Sequence, residues 1–270
     1  MKITIQYIII ITSVFIFSCE SIDPIRDNPL DDEGDNYVAP TIVLLSDVSD
    51  GDTLYASSIE FQWEGNELVT EYRFQYDAFP WSDWIDNTVA VLDYLDEGEH
   101  TLSIQSQYLT GDTSEVGSVS FVVDAVSGPA LMFYPRRHLA NINETVTFHI
   151  MAEEVSNLMA AQIHLEFEPS LLEIVSVEQG GLFIEGQNSI FLYEVNQSDG
   201  TIQINTTLLD AESPSVSGTG ELAVVRVKLI QSGSATLNFN GNDIFKDQNN
   251  NNMMILEKVN GLVRSEERRV

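Results

Sequence analysis

Cys19 is the single cysteine in 270 residues, and a lone thiol narrows the chemistry open to it. It cannot close an internal disulfide, and metal sites built on cysteine need several thiolates or added histidines at fixed spacing. The four histidines, His100, His138, His149 and His164, are scattered over strand-like segments and turns without metal-ligand spacing. In DQNNNN (247–252), Asp247, Asn249 and Asn251 offer side-chain oxygens as the start of a calcium loop does. Such a loop needs Gly sixth and a bidentate Glu twelfth, and Asn252 and Lys258 stand there instead. The stretch therefore reads first as a turn before the last strand, with calcium as the alternative. Trp81 and Trp84 in FPWSDW (79–84) read first as aromatics covering one end of a core, with stacking on a sugar ring as the alternative. Carboxylates are so frequent that chance pairs are expected, whereas a glycosidase needs two of them facing one another across a cleft. No G-x-S-x-G supports a Ser–His–Asp site. These residue types point to a non-enzyme with no cofactor.

The setting of Cys19 explains why it stands alone. Lys2 precedes an apolar run, Tyr7 to Phe17, of about eleven residues, short of the ~20 that span a bilayer. A basic start, a short apolar core and a small residue make residues 1–18 a signal peptide. Ile16-Phe17-Ser18-Cys19 resembles the processing site of bacterial lipoproteins, with Phe17 where a smaller residue is usual. That resemblance implies cleavage before Cys19 and a lipid on its thiol, and two or more acyl chains anchor stably. Glu20 is not the aspartate of an inner-membrane retention signal, so the expected place is the outer membrane and cell surface of a Gram-negative-type cell. Residues 19–40, acidic and rich in Pro, Gly and Asn, read as a flexible tether reaching about 25 Å.

With 42 acidic against 12 basic residues the formal net charge is −30. Nucleic-acid binding rests on neutralising phosphates with Lys and Arg and is excluded as a function class. Beyond residue 40 nearly every segment alternates with period two, as in SIEFQW (58–63), TVTFHIM (145–151), QIHLEF (162–167) and TIQINT (201–206). Turns such as GDT, SDGT and QSGS separate them. The pattern predicts an all-β chain of two tandem β-sandwiches.

Residues 41–125 resemble a fibronectin type III or related immunoglobulin-like module. The resemblance rests on Trp63 in the second of about six predicted strands, EYRFQYD as the third, YLDEGEHTL before the sixth and a closing SVSFVVD. Where a tyrosine is expected near the start of the sixth strand stands His100-Thr101, leaving the tyrosine-corner hydrogen bond without its usual donor.

Residues 130–264 resemble a cohesin module, the receptor half of the cohesin–dockerin pair. The specific part is VSNLMAAQIHLEFEPSLLEIVSVEQG (155–180): a small turn, an alternating strand, then Phe167-Glu168-Pro169-Ser170-Leu171-Leu172 turning into another strand, with Glu168 where Asp is usual. Gly220-Glu221-Leu222-Ala223 through Val227 fits a second family stretch. The resemblance implies a nine-stranded jelly roll that binds a dockerin on the sheet face of its third, fifth, sixth and eighth strands, here 160–167, 189–195, 201–207 and 234–239. Ile163, Leu165, Phe167, Ile202 and Ile204 should then point inward. Gln162, His164, Glu166, Gln203, Asn205, Thr207 and Asn238 should face outward as a partner-binding surface, although any half-buried sheet presents a solvated polar face. The tail RSEERRV breaks the strand pattern, and 265–270 is similar to the translation of a sequencing adapter, so the true chain is expected to run on differently past 264.

The expectation is a lipid-anchored, non-catalytic surface protein holding a dockerin-bearing partner in an assembly for extracellular polysaccharide degradation. Two alternatives stand beside it: a carbohydrate-binding or adhesive surface lipoprotein contacting an extracellular glycan, and a structural spacer of a longer protein.

Overall fold

The computed structural model describes residues 28–183, 188–209 and 215–265. Cys19, the signal segment, part of the expected tether and residues 266–270 lie outside the described residues. Residues 28–37 make successive turns rather than plain extended chain, with Asn28, Asp31 and Gly34 carbonyls accepting from Asp31, Gly34 and Tyr37 N–H groups.

Seven strands build the first sandwich: β1 (Ile42–Leu44), β2 (Asp52–Leu54), β3 (Ser58–Gly65), β4 (Val69–Tyr76), β5 (Val89–Asp93), β6 (Gly98–Tyr108) and β7 (Gly117–Val123). They form two sheets, β1-β3-β5 and β2-β7-β6-β4. The strand missing from the sequence reading is β2, three residues pairing in parallel with β7. It is too short to show a period. Alternation places Phe61 and Trp63 of β3 in a core with Tyr72, Leu102, Ile104 and Phe121. At the position where the expected tyrosine is missing, a histidine makes contacts of its own. His100 is only 7% exposed, and its Nε2 lies 2.8 Å from the Asp96 carbonyl four residues upstream. A carbonyl only accepts, so Nε2 is the donor of that bond. Its Nδ1 meets Tyr76 Oη at 2.6 Å and Asp77 Oδ2 at 2.8 Å.

The second sandwich comprises β8 (Ala130–Tyr134), β9 (Arg137–Ala140), β10 (Thr145–Phe167), β11 (Leu172–Gln179), β12 (Ser189–Asn196), β13 (Thr201–Leu208), β14 (Val216–Leu229), β15 (Ser234–Phe239), β16 (Ile244–Asp247), β17 (Asn252–Met253), β18 (Glu257–Val259) and β19 (Gly261–Ser265). Strand β19 includes Ser265, one residue beyond the predicted break, and Ser265 exchanges hydrogen bonds with Gly233.

At 23 residues β10 is unusually long, and it serves both layers. Its first half pairs with β14 and β8 in the back sheet. Its second half pairs with β13 on one side and with β16 and β15 on the other in the front sheet. Register shifts between Ile150 and Leu158 carry it across, with Glu154 and Asn157 at positive φ. The buried residues record the crossing: Val146, Phe148, Ile150 and Ala152, then Val155, Leu158 and Ala161 in steps of three, then Ile163, Leu165 and Phe167. The small turn expected here is thus a bulged stretch of one continuous strand.

The sandwiches meet through the chain that follows β8. Arg136 N–H donates to Asp96 Oδ1 at 2.6 Å, its guanidinium pairs with Glu97 at 2.5 Å, and Arg137 pairs with Asp93 at 2.5 Å.

Candidate functional site

In an antiparallel pair, residues directly opposite share a face. Gln162 lies opposite Asn205, and His164 opposite Gln203. One strand further out, Asn205 lies opposite Leu192 and Gln203 opposite Glu194. On the other side Gln162 faces Ile244 and Glu166 faces Asn238. Thr207, opposite Ala160, completes the patch. The front sheet therefore carries all seven sequence-selected positions on one outer face, and Ile163, Leu165, Phe167, Ile202 and Ile204 are buried beneath it.

The seven are not equivalent. Thr207 Oγ1 donates to the Met159 carbonyl, and Asn238 donates to Thr236. The side chains of Gln162, Glu166, Gln203 and Asn205 have no hydrogen-bond partner among the described residues, so their donors and acceptors remain open to a second molecule. The backbone beneath is held firmly. Asp243 accepts the His164 N–H at 2.6 Å and takes Lys258 Nζ at 2.7 Å.

Sequence reasoning treated this face as polar and missed its apolar members. Leu192, 63% exposed, and Ile244, 37% exposed, end the row Leu192–Asn205–Gln162–Ile244. Three strand spacings separate them, about 14 Å. The signal was present in β12, where Ile190, Phe191, Leu192 and Tyr193 run consecutively, so one parity must face out.

The back sheet differs. Its outward side chains pair with each other: Arg226 with Glu178 and Ser176, Lys228 with Glu173 at 3.1 Å, and His149 with Glu221. Polar groups spent on one another leave little for a partner.

Two other candidates take structural parts. Trp81 and Trp84 both face the Arg73 guanidinium, at 4.9 and 4.6 Å from the ring centroids, and Gln105 Oε1 holds the same guanidinium. A cation thus occupies a face of each ring that a sugar would need, and neither ring belongs to the core of the first sandwich. Asp247 Oδ1 accepts the N–H groups of Asn249 and Asn251, and Oδ2 accepts the Asn251 side-chain amide. These bonds, led by the Asn251 side chain, hold the Asp247 carboxyl below its usual range. Asn249 contributes its N–H instead of its oxygen, so the stretch is an Asx-closed hairpin turn rather than a convergent oxygen cage. Among the described residues no group of three or more His, Cys, Asp or Glu is placed to hold a metal.

Several solved structures resemble part of the chain. A non-cellulosomal cohesin from Archaeoglobus fulgidus is 21% identical, covering 52% of this chain and 92% of that one, with TM-score 0.43. A type II cohesin domain from the cellulosome of Acetivibrio cellulolyticus is 14% identical over 50% and 94%, with TM-score 0.45. A type I cohesin–dockerin complex from Clostridium thermocellum is 14% identical over 50% and 97%, with TM-score 0.44. No curated protein matches the chain. The family model described as the cohesin domain matches residues 137–263, which lie within the second sandwich.

Proposed function

We propose that the second sandwich is a non-catalytic receptor that holds a dockerin-bearing partner on the outer face of the front sheet. The observation that carries this reading is the row Leu192–Asn205–Gln162–Ile244: open amides between two exposed apolar side chains. Exposed apolar contact with unspent hydrogen-bond donors and acceptors is what a protein interface uses, and the residues concerned fall within the cohesin match. The lipid on Cys19, the acidic tether and an outer-membrane cell-surface location complete the proposal. They rest on residues 1–40 of the sequence.

The test is a capture experiment. The whole chain is immobilised and exposed to secreted proteins of the source organism, with calcium and again with a chelator. Dockerins hold their fold through calcium, so the expected result is a partner retained with calcium and released without it. Asn205→Arg should abolish capture, because a long charged side chain would be desolvated between the apolar ends of the row, and Gln203→Arg should do so by crowding the neighbouring row with a bulky charge. Retention of nothing, or capture indifferent to Asn205→Arg, overturns the reading.

A further inference from the structure

A cleft of about 620 Å³ opens where the first sandwich meets the chain after β8, lined among others by Tyr76, Phe79, Asp93, Asp96, Arg137 and His138. Its size is that of a small-molecule site. One wall is aromatic. The Tyr76 and Phe79 rings are near-parallel, 12° apart with centroids at 5.8 Å, and Phe79 is 53% exposed. Tyr76 is fixed from behind by its 2.6 Å contact with His100 Nδ1, so the platform does not need to be ordered by a ligand. The polar groups are of both kinds. Asp96 accepts Arg136 N–H through Oδ1, leaving Oδ2 without a partner among the described residues. Arg137 uses Nη1 on Asp93 and keeps its remaining N–H groups as donors. His138 Nε2 donates to the Thr147 carbonyl, which leaves Nδ1 as an acceptor.

We propose that this cleft binds a short segment of a neutral polysaccharide. Sugar rings present C–H groups that pack on a flat π surface, and hydroxyls that donate to a carboxylate while accepting from a guanidinium. Anionic chains are disfavoured by the net charge of −30. Burial raises the Asp96 carboxyl and lowers the His138 imidazole. The site is distinct from the Trp81–Trp84 cluster and from the docking face.

The experiment is isothermal titration of the whole chain, in a non-glycosidic detergent, with tetrasaccharides of β-glucan, xylan and mannan. Saturable binding of one of them is expected, weakened about tenfold by Phe79→Ala through loss of ring stacking. Val91→Lys, an exposed position lining the same cleft, should block binding without disturbing a core. Trp81→Ala and Asn205→Arg should bind as the unaltered chain does, so loss of partner capture and loss of sugar binding are read separately. No saturable binding of any of the three, or binding indifferent to Phe79→Ala and Val91→Lys, overturns the proposal.

Discussion

His100 anchors the turn before β6, and its replacement has a definite expected cost. His100→Ala removes the donor to the Asp96 carbonyl and the partner of Tyr76 and Asp77, inside a nearly closed site. A loss of about 2–4 kcal/mol in urea unfolding is expected, with His100→Gln recovering part of it through its own amide donor. His138 offers a pH test. Burial holds its imidazole below the ordinary value of 6.5, with the hydrogen bond to Thr147 opposing. The folded chain then resists a proton that the unfolded chain accepts. The histidine's contribution is therefore fully present above the ordinary value and is lost as pH falls through the folded one. The urea midpoint should drop between about pH 7 and about pH 5, and His138→Gln should flatten that part of the profile. At this scale the sequence was readable where a residue's partner follows from strand alternation, as for Ile202 and Ile204. It was silent where the partner comes from a distant turn, as for Arg73 between Trp81 and Trp84.

Among the elements, the β12–β13 hairpin sets Leu192 beside Asn205 in the proposed docking row, and its turn has one position that tolerates no side chain. Gly200 has φ +67°, and a Cβ there would lie 2.2 Å from the Phe167 carbonyl oxygen, the residue whose N–H donates to the Gly200 carbonyl. Gly200→Ala should cost about 1–3 kcal/mol and weaken partner capture with it, measured as urea midpoint and as retention on the same preparation. The strands of the front sheet were legible because TIQINT and ATLNF alternate strictly, and their inward residues are buried as the alternation requires. The bulged middle of β10 was not, because buried residues three apart match neither the period of a strand nor that of a helix. Strand β2 lacked the length to carry a signal, and Leu192 was hidden in a run apolar on both parities.

For the molecule as a whole, the junction between sandwiches is the feature no local pattern announces. Arg136 is 4% exposed and meets Glu97, whose carboxylate also accepts the Ala125 N–H. Burial, the larger influence, raises the Glu97 carboxyl while Arg136 opposes it. Arg136→Met leaves that half-buried acid without its partner, at an expected cost of about 1–3 kcal/mol. A single calorimetric transition of the unaltered chain should split into two as the sandwiches lose their common support. The two-sandwich plan was visible in composition and turn spacing, but Arg136 and Glu97 sit far apart in the chain and only the fold brings them together. The crossing strand β10 has a further consequence, for which lengths of chain can be gained or lost. Its inward residues are even-numbered up to Ala152 and odd-numbered from Ala161, so the bulged stretch sets the phase of the front sheet against the back. Deleting a single residue there would invert that phase, turning Ile163, Leu165 and Phe167 to solvent and Gln162 and His164 into the core. Deleting a pair would restore it, so along this stretch the chain can change length only in even steps.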